Sequence, residues 1–69
     1  MHIPWKAGAV IRVRTERGTV LVSANEEGLL SLAEQLSLLA QESPGSHIHY
    51  DEENALEEGS CEWIVEKIL

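Results

Sequence analysis

The spacing of hydrophobic positions changes period twice along the chain. Residues 9 to 15, AVIRVRT, alternate, with Ile11 and Val13 on one side and Arg12 and Arg14 on the other. Period two with β-branched residues predicts a strand. TVLVSA, residues 19 to 24, predicts a second. Glu16-Arg17-Gly18 lies between them. A short loop with glycine where φ must be positive marks a hairpin.

From Asn25 the period becomes helical. An asparagine here can cap a helix by accepting a hydrogen bond from an orphan backbone N–H. Glu26 and Glu27 follow at the positive end of the helix dipole. The helix is predicted from about Glu26 to Gln41, with Leu29, Leu32, Ala33, Leu36, Leu39 and Ala40 on one core-facing stripe. Leu38 falls off that stripe and reads as exposed. Ser43-Pro44-Gly45-Ser46 ends the element, because proline cannot continue the ladder.

SHIHY, residues 46 to 50, predicts a third strand, and CEWIVEKIL, residues 61 to 69, a fourth. In the last, Cys61, Trp63 and Val65 share the apolar side, so Cys61 is expected to be buried. Glu62, Ile64, Glu66 and Ile68 share the other. Between these strands, Ala55 and Leu56 are expected to tuck a short turn against the core.

The order β-β-α-β-β predicts an α+β fold of two layers, one helix packed on a four-stranded sheet. The helix covers only one face. The other carries Arg12, Arg14, one side of the third strand, and Glu62, Ile64 and Glu66. Ile64 among charges suggests that this face meets a partner, a second copy, or the N-terminal segment with Trp5.

Size and charge narrow the function. Sixty-nine residues make a single domain, 1–69. A chain this short buries only roughly 60% of the surface its unfolded form exposes. A homodimer is one way to bury more. Five basic residues against twelve acidic give a net charge of −7. That disfavours nucleic acid, whose phosphates need clustered Lys and Arg, and favours a basic protein partner. Cys61 is alone, so no intrachain disulfide forms. No apolar run approaches the ~20 residues that span a membrane. The start, MHIPWKAGAV, lacks the apolar core of a signal peptide. A cytoplasmic protein, away from membranes, is expected.

Two groupings could carry chemistry. His47 and His49 point to the same face of a strand, and Asp51 continues the row. Such a row can supply metal ligands, and His2 could add another. Zinc wants three or four, so no metal and no cofactor is assigned. The plainer reading places the histidines against glutamates or water. His49 with Glu52 or Glu53 could form an acid–base pair. A single-helix chain leaves little room for a pocket, and its five glycines form no phosphate loop. No catalytic residue is assigned and no enzyme is expected. The second grouping is acidic: Asp51, Glu52, Glu53, Glu57, Glu58 and Glu62 lie within twelve residues. Such density attracts basic proteins and speeds their association. An ordinary solvated loop is the alternative.

The stretch SANEEGLLSLAEQLSLLAQ, 23 to 41, followed by GSHIHYDEENALEEGSCEWIVEKI, 45 to 68, resembles the immunity protein 32 family of bacterial polymorphic-toxin systems. The similarity lies in four features. They are the Asn-Glu-Glu-Gly-Leu-Leu helix start, the Gly-Ser-His-x-His strand, the Asp-Glu-x-Asn-x-Leu-Glu-x-Gly-Ser turn and the final strand. Tyr50 and Trp63 stand where leucine fits the pattern, and both keep a large apolar body. The resemblance implies a protein that binds and neutralises a cognate toxin. It leaves the toxin's activity open.

Charge density and resemblance together point to a partner surface of His47, His49, Asp51, Glu52, Glu53, Glu57 and Glu58. The carboxylates would complement a basic toxin, and the histidines would orient side chains at its edge. Two other readings stand beside it. One is a small metal- or ligand-binding module built on His47, His49 and Asp51. The other is a structural homodimer using the open face with Ile64 and the arginines.

Overall fold

The computed structural model describes residues 3–69. Five elements follow in chain order: β1 (Ile11–Glu16), β2 (Thr19–Ala24), α1 (Glu26–Leu39), β3 (His47–Tyr50) and β4 (Trp63–Glu66). β1 and β2 form an antiparallel hairpin in which Glu16 faces Thr19 and Ile11 faces Ala24. Arg17 and Gly18 make the turn with φ of 48° and 82°. Positive φ at both central residues is the two-residue turn whose twist matches that of the strands.

β3 and β4 form a second antiparallel hairpin, with His47 facing Glu66 and Tyr50 facing Trp63. The expected four-stranded sheet does not form; there are two separate two-stranded sheets. The reason lies at the edge of β1. The Ile11 carbonyl accepts the Glu57 N–H at 2.8 Å, and the Val13 carbonyl accepts the Cys61 N–H at 2.8 Å. The Val13 N–H donates to the Ser60 hydroxyl at 3.2 Å, a side chain where a ladder would offer a carbonyl. A loop therefore occupies the outer edge of β1, where a strand of the second hairpin could have paired. Gly59, at φ of 86°, turns within that loop and breaks the continuity a ladder requires.

The core lies under α1. Ile11, Val13, Leu32, Leu39, Ile48, Tyr50 and Leu56 are buried, with Ile3, Trp5, Ala24, Ala55, Trp63 and Val65 packed against them. Leu56 and Ala55 thus tuck in as expected. The helix is rotated from its expected orientation. Its buried stripe is Gly28, Ser31, Leu32, Gln35 and Leu39. Leu29 and Leu36 are exposed instead, and Leu38 is half-buried.

Hydrogen bonds explain the rotation. Gln35 Nε2 donates to the Pro4 carbonyl at 2.6 Å. The Tyr50 hydroxyl donates to Gln35 Oε1 at 2.7 Å. The Lys6 N–H donates to the Ser31 hydroxyl, which donates in turn to the Glu27 carbonyl. These bonds satisfy polar groups that burial would otherwise penalise. They also bind the segment around Pro4 to the helix. Trp5 meets Tyr50 edge-on at 6.1 Å, and Tyr50 stacks on Trp63 at 4.9 Å. Trp5 therefore joins the core side and leaves the outer face with Ile64 uncovered.

Asn25 fixes the start of the helix. Its Oδ1 accepts the Gly28 N–H at 2.8 Å and the Val10 N–H at 3.0 Å. Its Nδ2 donates to the Gly8 carbonyl, and its backbone N–H donates to the Val10 carbonyl. Lys67 closes the other end. Its Nζ donates to the carbonyls of Ala40 and Glu42 at 2.7 and 2.8 Å. The last turn carries no basic residue of its own, so this distant lysine supplies the charge that the helix C-terminus favours.

Candidate functional site

The outer face of the second hairpin begins with a strand alternation. In β3, Ile48 and Tyr50 are buried, while His47 and His49 are exposed. Across the ladder, His49 faces Ile64 and His47 faces Glu66. These four side chains line one open depression. The imidazole rings lie 5.0 Å apart, edge to face. His47 Nδ1 is 3.1 Å from the Gly45 carbonyl. His49 Nδ1 is 3.9 Å from a Glu62 carboxylate oxygen, with both side chains at least half exposed. A pair so exposed is worth little in stability. Ile64 is 53% exposed.

Asp51 leaves this row. Its Oδ1 accepts the N–H groups of Glu53 and Asn54 at 3.0 and 3.1 Å. That closes a turn in which aspartate mimics a backbone carbonyl. Asn54 reciprocates, accepting the Asp51 N–H and donating to the His49 carbonyl. Glu52 reaches across the loop, and its Oε2 accepts the Gly59 N–H at 2.7 Å. Ala55 and Leu56 donate their N–H groups to the Asp51 carbonyl. Two of the six carboxylates thus organise the loop that carries the others.

Glu53 and Glu58 are exposed and Glu57 is half-buried. The Glu57 backbone is anchored to β1 through its bond to Ile11. Leu56, 5% exposed, pins the loop to the core from below. The result is a self-bonded acidic loop beside an exposed His-Ile-Glu face. Cys61 was expected inside and is exposed. It precedes β4, which starts only at Trp63, so the apolar alternation of that strand does not reach it.

Among the described residues, no group of three or more His, Cys, Asp and Glu side chains converges as metal ligands would. His2, the further ligand considered from the sequence, lies outside the described residues. No helix among the described residues is long and apolar enough to cross a membrane.

The model of the family described as Immunity protein 32 matches residues 19–68. The chain belongs to that family. The match runs from β2 through β4 and takes in the whole acidic loop. It begins after β1, the strand that supplies buried Ile11 and Val13. The helix start within the matched residues has a physical account. Asn25 caps α1, and Gly28 sits where a Cβ would come within 2.7 Å of the Val10 carbonyl oxygen. No curated protein and no solved structure matches the chain.

Position-by-position reading of the sequence missed Asn54 and the pairing across the second hairpin. Glu66 and Ile64 share the histidine face, and period two already placed them on one side of β4. What the sequence lacked was the pairing register that sets them against His47 and His49. Asn54, which ties β3 to the acidic loop, carries the familiar Asx-turn signal three residues after an aspartate.

Proposed function

We propose that the chain neutralises a cognate toxin by direct binding, and that the toxin presents a basic surface to the acidic loop. Membership of an immunity family supports the immunity role. The observation that carries the surface assignment is the bonding of the loop between Asp51 and Ser60. Asp51, Glu52 and Asn54 hold the backbone, so Glu53, Glu57 and Glu58 are presented without much ordering left to do on binding. Pre-ordering of that kind lowers the entropic cost of association.

The outer face adds His47, His49, Glu62 and Glu66 around exposed Ile64. An apolar centre ringed by polar groups is the usual anatomy of a protein contact. In this reading Asp51 and Glu52 shape the surface, while Glu53, Glu57 and Glu58 complement the partner. The histidines set its edge. The chain acts as a binding protein and performs no chemistry on the toxin.

The test uses the toxin encoded beside this chain. Purified toxin and immunity protein are titrated by calorimetry at low and high salt. Tight binding that weakens with salt, and weakens about tenfold or more in Glu53→Lys/Glu58→Lys, supports the surface. Full toxin activity in the presence of excess wild-type protein defeats the immunity reading for that pair. Binding that the double variant leaves unchanged defeats the acidic surface alone.

A further inference from the structure

The hairpin β1–β2 has one edge covered and one edge bare. In a two-residue hairpin the flanking pair exchanges both hydrogen bonds, and every second pair after it does the same. Here those pairs are Glu16–Thr19, Arg14–Leu21 and Arg12–Ser23. Ile11 and Val13 must then point their backbone groups away from β2. They do: these are the groups that meet Glu57, Ser60 and Cys61. By the same phase, Val20 and Val22 of β2 turn their N–H and C=O groups to the opposite edge, where among the described residues nothing meets them.

That edge lacks the usual protection. Exposed edges are blunted by charge, proline, a bulge or a cover. Thr19–Ala24 holds neither charge nor proline, and its register with β1 is unbroken. Val20 is 58% exposed, Leu21 40% and Val22 36%. Arg12, Arg14 and Arg17 stand on β1 and its turn, while the acidic loop lies on the far side of β1. The bare strand is an uncharged strip on a chain of net charge −7.

We propose that a second copy of this chain pairs with β2, antiparallel and about a twofold axis at Val22. The strip is self-complementary in that register. Val22 faces Val22 of the second copy, exchanging both hydrogen bonds, and Val20 faces Ala24 on each side. Edge-facing residues therefore meet edge-facing residues. The same count of two keeps Val20, Val22 and Ala24 together on the helix side and sets Leu21 beside Ser23 on the outer side. Each core-bearing face continues into the next, and the two hairpins become one four-stranded sheet.

Charge does not oppose the pairing. Across the seam, Arg14 and Arg12 of the two copies are three strand spacings apart, about 14 Å. That exceeds the screening length of about 8 Å at physiological salt. The acidic loops lie farther still, each beyond its own β1. One six-residue seam is smaller than the roughly 800 Å² per partner of a stable complex, so the dimer is a weak, concentration-dependent one.

Sedimentation of the whole chain in reductant, from about 10 μM to about 1 mM, spans the dissociation constants a seam this small allows. The expected mass rises from 7.7 kDa toward twice that value. Val20→Lys is expected to stay monomeric with an unchanged circular dichroism spectrum. Should that variant fail to fold, amide exchange on the wild type decides, because the Val20 and Val22 amides gain protection with concentration. A constant 7.7 kDa mass overturns the proposal. So does a dimer that leaves those two amides unprotected. Protection of Val20 and Val22 only on adding the toxin assigns the strip to a toxin strand and rejects self-pairing. Loss of toxin binding in the Glu53→Lys/Glu58→Lys variant bears only on the acidic loop.

Discussion

The Tyr50 hydroxyl donates to Gln35 Oε1 at 2.7 Å inside the core, and both residues are at most 1% exposed. This bond joins the helix to the second hairpin. Gln35 passes the connection on to Pro4, so three separate parts of the chain meet at one amide. Removing one partner strands the other without water.

Tyr50→Phe is therefore expected to cost about 1–3 kcal/mol, the usual penalty for an unpaired buried acceptor. Gln35→Leu should cost a similar amount. The double variant Tyr50→Phe/Gln35→Leu should cost less than the two singles together, because no side-chain orphan remains. Urea unfolding of all four proteins gives the coupling. Strict additivity would show that the bond does not link the two elements.

Burial raises the Tyr50 pKa above its usual value of 10.0. The neutral phenol is the form the fold prefers. Stability from this group is fully present below the unfolded value and is lost as pH rises through the raised folded value. The wild type should therefore lose stability above about pH 10, and more steeply than Tyr50→Phe. The measured quantity is the difference between the two proteins. Parallel melting-temperature curves for both would refute the assignment to Tyr50.

Gly28→Ala should destabilise, against the propensity of helices for alanine. In an open helix that exchange gains up to about 1 kcal/mol. Here the new Cβ would lie 2.7 Å from the Val10 carbonyl oxygen and 3.0 Å from the Ile11 side chain. The oxygen belongs to backbone already bonded to Asn25. Relief requires moving the helix off β1, and overpacking of this kind costs about 1–3 kcal/mol. Denaturant unfolding that finds the alanine variant as stable as wild type would contradict the close approach.

The four strands were legible in the alternation of residues, the helix in its longer period, and the hairpin turn in a single glycine. The helix orientation was not. Counting leucines put Leu29 and Leu36 inside, yet Ser31 and Gln35 hold those places because backbone from Pro4 and Lys6 comes to meet them. A pattern of apolar residues carries no sign of a polar group that will find a partner thirty positions away. The sheet was misread for a related reason. Nothing in β1 alone tells whether its second edge meets a strand or a loop; the Glu57 and Cys61 N–H groups and the Ser60 hydroxyl take it. The acidic run was visible at once. Its division into carboxylates that build the loop and carboxylates left for a partner depends on bonds to Gly59 and Asn54, which only the folded loop reveals.

The Lys67 ammonium closes α1 from 27 residues beyond Ala40. During synthesis, the helix leaves the ribosome well before the side chain that completes it. Until then the Ala40 and Glu42 carbonyls have only water, and the final turn is free to fray. Closing that end is a long-range event, tied to the pairing of β4 with β3, and such contacts form late in folding. The two hairpins and the helix can therefore be assembled in pieces, but the last turn of the helix waits for the last strand.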